Sequence, residues 1–193
     1  AAEHSWETLN FHVSHLVHPS RFFSSCPDAE LLIKEFRGVA AGGFGVPPEQ
    51  KSVKGIRSHV MEVDDLFVLH SEERIMGFAS MRRRPDLNLL HLHGIVLDPS
   101  AQNRGFSRAL MKVMLDATSF SWVSFTTQNP VMFCLGRSVA RQTFPSPSQP
   151  VVPEGLHSLG MRLIPGMLSP DTFVVREWYS KCLYPKIPES RDP

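Results

Sequence analysis

The run from Leu89 to Ser107 constrains this chain more than any other stretch. Leu89-Leu90-His91-Leu92-His93-Gly94-Ile95-Val96-Leu97 has strand composition, and Asp98-Pro99 ends it because proline cannot donate to a ladder. After a short loop, Phe106, Leu110, Val113, Met114 and Ala117 recur at steps of three and four, which predicts an amphipathic helix over Gly105 to Thr118. The first amides of a helix have no intrahelical acceptors, and the helix dipole places partial positive charge there. A pyrophosphate can accept from several such groups at once. Gly105 lets backbone approach a phosphate without a Cβ in the way, Ser107 is small, and Arg104 adds charge.

The elements around this device alternate between strand and helix, which predicts a mixed α/β fold. Leu66 to His70 reads as a strand, Ser71 to Arg74 as a hairpin turn, and Ile75 to Met81 as the partner strand. Ser121 to Thr126 is a further strand candidate, and Asn129-Pro130 opens a helix, since proline suits the first helical position. Upstream, Leu9 to Val17 reads as an opening strand, and Asp28 as the cap of a helix through Phe36. The glycines and prolines of Ala41 to Pro48 predict a break and a flexible loop. Downstream, Pro145, Pro147, Pro150 and Pro153 mark a surface loop. A short helix at Gly155 to Leu159 and strands at Thr172 to Val175 and Trp178 to Leu183 are expected beyond it.

Composition excludes several classes. With 193 residues, 42% of them hydrophobic, the chain suits one compact domain with an elaborated edge. A formal net charge of +1 argues against a general nucleic-acid binder; Arg82-Arg83-Arg84 is the one basic run, read as a solvated strand end or, more sharply, an anion contact. Cys26, Cys134 and Cys182 make neither a CxxC pair nor a zinc spacing, so a reduced, intracellular (cytoplasmic) setting is expected. No apolar run approaches the roughly 20 residues that span a bilayer, and no secretory leader is read at the amino terminus. No membrane or nucleic-acid partner is therefore expected.

Gln102, Gly105 and Ser107, set after Leu97-Asp98-Pro99, resemble the acyl-CoA loop of the GNAT N-acetyltransferase superfamily, Gln/Arg-x-x-Gly-x-Gly/Ala. Met76-Gly77-Phe78-Ala79 looks like that family's third strand, and Thr127-Gln128-Asn129-Pro130 like the end of its fifth. The resemblance covers about residues 62–140. It implies a mostly antiparallel central sheet flanked by helices, with splayed central strands holding the cofactor. It also implies a single domain over 1–193, in which 1–60 and 145–193 are elaborations on the acceptor side. The amides of Ile95, Val96 and Leu97 would pair with the pantetheine arm. Gln102, Asn103, Arg104, Gly105, Phe106 and Ser107 would hold the pyrophosphate, and Asn129 with Phe133 would line the other side. Acetyl-CoA or another acyl-CoA is then the co-substrate, a primary amine of a small molecule the acceptor, and no metal is required.

Moving an acyl group from thioester to amine needs a neutral amine, an acid for the thiolate and polarisation of the carbonyl. His91 and His93 lie two apart and so project from one strand face. In the histone-acetyltransferase branch of the family, the general-base Glu sits at the position of His91. An imidazole can take a proton there directly or through water. His-x-His also has the look of a metal pair, but no third ligand stands at a recognisable spacing. Many family members carry a Tyr seven residues after the Asn of the fifth strand, where this chain has Gly136; Tyr179 and Tyr184 are its two tyrosines. A non-catalytic acyl-CoA sensor and a protein-directed acetyltransferase are the competing readings. Trp6, Phe22, Phe23, Trp178 and Tyr179 are aromatic candidates for an acceptor site.

Overall fold

A computed structural model describes residues 3–6, 11–72, 74–146, 151–166, 168–169, 172–175, 179 and 183–184. It divides into two compact units, Ala1–Phe125 and Thr126–Pro193.

In the first unit, strands β1 (Glu3–Trp6), β2 (Phe11–Val17), β3 (Asp65–Ser71), β4 (Ile75–Arg84), β5 (Leu89–Leu97) and β6 (Trp122–Ser124) form one sheet in sequential order. The first five are antiparallel neighbours, and β6 runs parallel to β5. Helices α1 (Pro19–Ser25), α2 (Ala29–Phe44) and α3 (Val53–Met61) connect β2 to β3, and α4 (Phe106–Asp116) connects β5 to β6.

The unbroken burial of Asp65 to Leu69 and of Ile75 to Met81 follows from having helices on both faces of the sheet. On one face Phe23, Ile33, Phe36, Val39, Ile56 and Val60 from α1 to α3 pack against Leu66, Val68, Ile75 and Phe78. Phe36 meets Phe78 edge-to-face at 5.2 Å between ring centres. On the other face α4 lies against β3, and Phe106 meets Phe11 of β2 at 4.6 Å. α4 buries Phe106, Leu110, Met111, Val113 and Met114, whereas Ala117 falls just past its end and is exposed.

The expected break at Ala41 to Pro48 is a correction: α2 continues to Phe44 and ends on Gly45, whose φ of 67° suits glycine. Gly42 and Gly43 serve packing instead. A Cβ on Gly43 would lie 2.5 Å from the Val96 side chain and 2.8 Å from the Leu97 carbonyl oxygen. Helix propensity is outweighed there by the close approach of α2 to β5. The sequence reading also passed over α1 and α3, and β4 runs on to Arg84. Ser52 caps α3 by accepting from the Gly55 amide.

The basic run is paired rather than free. Arg83 makes two 2.6 Å bonds to the buried Asp65 carboxylate, which also meets His15 Nε2 at 2.8 Å. Burial alone would raise the Asp65 carboxyl, but the bonds from His15 and Arg83 outweigh it and hold it below the usual carboxylate range.

In the second unit α5 (Pro130–Val139) starts where Asn129-Pro130 predicted, and α6 (Glu154–Leu163) is longer than the expected Gly155 to Leu159. The strand expected at Thr172 to Val175 reduces to a single bridge between Leu168 and Val175. The strand expected at Trp178 to Leu183 lies largely outside the described residues. Gly160 sits against Leu168 and Phe173, where a Cβ would come within 2.6 Å of the leucine.

Candidate active site

The loop after β5 is held by its own polar groups. The Asp98 carboxylate accepts from the Ser100 amide at 2.9 Å and its hydroxyl at 2.6 Å, and Arg74 donates to Ser100 Oγ at 3.0 Å. Gln102 turns back, its Nε2 donating to the Leu97 carbonyl at 3.0 Å. That bond fixes the distance between strand end and loop, so Gln102 acts on the loop's shape. Asn103 and Gly105 both adopt left-handed backbone, at φ 58° and 80°. Gly105 is the N-cap of α4, and no side chain caps the first turn. Nothing lies within 4 Å of where its Cβ would be. Phe106 anchors the helix start in the core, leaving half-buried Ser107 in the first turn. The Arg104 guanidinium stands 5.5 Å from the Phe106 ring and 5.8 Å from that of Phe11. The result is an open set of helix amides with a cation beside it, which suits a phosphate.

β5 leads from this loop to the histidines. β6 pairs with it only over Leu89–His91, while β4 follows it to Leu97. Beyond His91 the other edge of β5 therefore has no strand partner among the described residues of the first unit. A Cβ on Gly77 would lie 2.9 Å from the Val96 carbonyl, so the end of β5 is gripped closely from the β4 side as well as by α2.

The β4–β5 register shifts between Ser80 and Met81: Gly94 opposes Ser80, Leu92 opposes Met81, and His93 is the extra residue of a bulge. Its ring lies 4.3 Å from that of His59 on α3, with the two planes at 32°. His93 Nε2 and Ser80 Oγ are both buried without a hydrogen-bond partner. His91, opposite Arg82 in the ladder, shares a 2.9 Å hydrogen bond between its Nδ1 and Ser124 Oγ. Burial, then repulsion from His59, Arg82 and His91, pushes the His93 imidazole down to about 4. Burial and then Arg82 and Arg84 lower His91; burial and then Arg82 and Lys51 lower His59. At neutral pH all three rings are uncharged and each offers a lone pair. Sequence reasoning missed His59, because its place opposite β5 depends on a helix it did not predict.

Asn129 and Phe133 lie in the second unit. Asn129 caps α5, its Oδ1 accepting from the Val131 amide at 3.0 Å, and half-buried Phe133 stands 5.9 Å from the Arg137 guanidinium. Gly136 is buried in α5, and the Tyr179 hydroxyl donates to the Thr126 carbonyl at 3.1 Å. Of the aromatic candidates, Phe23 belongs to the core and Phe22 is exposed, while Trp178 and the side chain of Trp6 lie outside the described residues. A surface hollow of about 450 Å³ is lined by Ser20, Arg57, Met61, Glu62, Val63 and Asp64, none of them a site candidate. Among the described residues no group of three or more His, Cys, Asp or Glu is arranged to hold a metal, and no helix is long and apolar enough to cross a membrane.

Residues 29–119 match the family model described as the acetyltransferase (GNAT) family. This segment is a GNAT acetyltransferase domain. Among solved structures, a ribosomal-protein alanine N-acetyltransferase from Escherichia coli is similar at a TM-score of 0.50 and 18% identity, over 67% of this chain and 76% of that one. A ribosomal-protein-alanine N-acetyltransferase from Brucella melitensis biovar Abortus 2308 is similar at 0.49 and 14% identity, over 70% and 95%. An aminoglycoside acetyltransferase from an uncultured soil metagenomic sample, solved with sisomicin, is similar at 0.46 and 15% identity, over 71% and 93%. No curated protein matches the chain. The GNAT domain covers the helices α2 and α3 as well as the loop and β5, so His59 and His93 belong to the same family segment.

Proposed function

We propose that this chain is an acyl-CoA-dependent N-acyltransferase that moves an acetyl group from the thioester to a primary amine of a small molecule. The observation that carries the reading is the course of β5. It runs from open helix amides past its carboxyl end back to a bulge at its middle bearing an unpartnered imidazole nitrogen, with a strand edge between that no described strand pairs. In this reading Gln102, Asn103, Arg104, Gly105, Phe106 and Ser107 form the pyrophosphate loop, with Gln102 and Phe106 shaping it and the amides and Arg104 meeting the charge. The main chain of Ile95, Val96 and Leu97 pairs with the pantetheine arm, and Asn129 and Phe133 complete the cofactor's surroundings. The fit rests on the uncapped first turn of α4 and the space over Gly105.

His91 and His93 handle the proton. A bound acyl-CoA supplies the activated thioester, and the chain's task is to keep the amine neutral and accept its proton on attack. His93 Nε2 suits that role because it has no hydrogen-bond partner among the described residues. His91, tied to Ser124, steadies the adjoining strand. The buried, neutral surroundings also favour an uncharged amine over an ammonium ion. With Gly136 offering no acid, the thiolate leaves to solvent. The acyltransferase is proposed to span 1–193 as a single domain, with 1–60 and 145–193 shaping the acceptor side, and to work in the cytoplasm.

Thiol release from acetyl-CoA across a panel of small primary amines, with calorimetry of CoA binding alongside, tests the proposal. Turnover with at least one amine, reduced about 10²-fold or more in His93→Gln, is expected. CoA binding with no turnover would leave a sensor, turnover on peptide amines alone would leave a protein acetyltransferase, and neither binding nor turnover would sink both.

A further inference from the structure

His59 has no part in the chemistry described so far, yet it lies against His93. It lies on α3, in a segment that contributes Ile56 and Val60 to the core, so the helix is pinned and the ring's position follows from it. Its ring packs against that of His93, with centres 4.3 Å apart and the planes tilted by 32°. The strand is shaped to admit it. Residue 94 is glycine, and a Cβ there would come within 3.3 Å of His59 Nδ1 and 3.8 Å of Ser80 Oγ. A bulge swings His93 out of ladder register at this point, so the ladder does not fix its ring. No hydrogen bond to its buried Nε2 fixes it either. A bulged side chain without such ties keeps several rotamers unless something flat packs against it.

We propose that His59 is a positioning residue: its imidazole, admitted by Gly94, packs against the bulged His93 and fixes the orientation of its unpartnered Nε2. The inference rests on the proposed proton-accepting role of His93 and names what sets that role. The groups facing His93 are His59 from α3, Arg82 from β4 and His91 from its own strand; Arg82 and Lys51 in turn face His59. Since a second imidazole both shields His93 from water and opposes its protonation, removing it shifts the acid limb of the rate profile upward.

The test compares His59→Ala, His59→Phe and Gly94→Ala in the full chain, using acetyl-CoA and the best amine of the panel. His59→Ala is expected to lower kcat about tenfold while the KM for acetyl-CoA stays within about twofold, because orientation is lost and the phosphate loop is untouched. His59→Phe restores most of kcat, since a flat ring still packs there. Gly94→Ala, whose methyl group crowds the His59 ring, falls in the direction of His59→Ala. Ring NMR of His93 gives a readout independent of turnover: its titration moves toward the ordinary histidine value in His59→Ala. A His93 titration and kcat unchanged in His59→Ala overturn the inference, as does a His59→Phe loss equal to that of Ala. If His59→Ala does not fold, the Phe and Gly94→Ala pair decides, and retention of wild-type kcat in Gly94→Ala counts against it. His93→Gln at wild-type rate would instead defeat the catalytic reading, while the NMR coupling of the two rings still stands or falls separately.

Discussion

The carboxyl end of β5 and its central bulge are built from different materials. At the carboxyl end, Gln102 to Ser107 presents backbone amides whose direction is fixed by left-handed turns at Asn103 and Gly105 and by the polar ties of Asp98 and Gln102. At the bulge, function is assigned to side chains: His93, His91 and His59 arrive from two elements and are kept neutral by burial and then by neighbouring charges, Arg82 being common to all three. A local backbone device tolerates substitution of most side chains around it. A side-chain cluster depends on every element that packs it.

This contrast can be broken experimentally, starting with the largest effect. His93→Gln is expected to cut kcat 10²-fold or more with little change in the KM for acetyl-CoA, the signature of a group used in the transition state. Steady-state kinetics on a working amine reads this split, and a purely KM effect would erase the distinction between the carboxyl end and the bulge. Next comes Gly43→Ala. Alanine gains up to about 1 kcal/mol of helix propensity over glycine, but a Cβ 2.5 Å from Val96 and 2.8 Å from a fixed carbonyl forces α2 off β5. A net loss of about 1–3 kcal/mol in urea denaturation is expected, as for other overpacked sites; a gain in stability would show that α2 is free to shift.

Gly105→Ala acts past the carboxyl end. It meets no atom, so its cost is the left-handed φ of 80°, about 1–2 kcal/mol. The expected outcome is a several-fold rise in KM for acetyl-CoA with kcat nearly unchanged, the mirror image of His93→Gln. The smallest effect is that of pH on stability. An imidazole whose folded-state pKa lies below the ordinary 6.5 binds its proton less readily in the folded chain than in the unfolded one. The stability His93 contributes is therefore complete above pH 6.5 and declines as pH falls toward about 4, with His59 and His91 adding in the same direction. Denaturation midpoints measured from pH 7 to 4 should fall, and less steeply in His93→Gln. Parallel slopes in the two proteins would remove His93 from the account.

Much of this was legible in the residues. β5 is bounded as Leu89-Leu97 composition and Asp98-Pro99 require, and α4 starts one residue after the glycine that marks it. The antiparallel hairpin β3–β4 follows from two apolar runs around a polar turn, although its Glu73 lies outside the described residues. Other parts misled. Gly42-Gly43 reads as a helix breaker because propensity is local, whereas its use as a contact surface for β5 is not. α3 was overlooked because Ile56 and Val60 are a sparse apolar stripe, sufficient only because the sheet supplies the rest of the core. The resemblance points to His91 as the base, yet its Nδ1 is already bonded to Ser124.

The loop that most constrained the chain was thus determined by sequence alone, because a glycine, a proline and a helix start fix backbone direction within a few residues. Which imidazole is left without a partner, and which helix places a second one against it, was decided only by the tertiary structure. A bulge changes which residues oppose one another across strands, and burial sets their protonation. The bulge arises between β4 and β5, and the second imidazole comes from residue 59, 35 positions before Gly94; no local pattern encodes either.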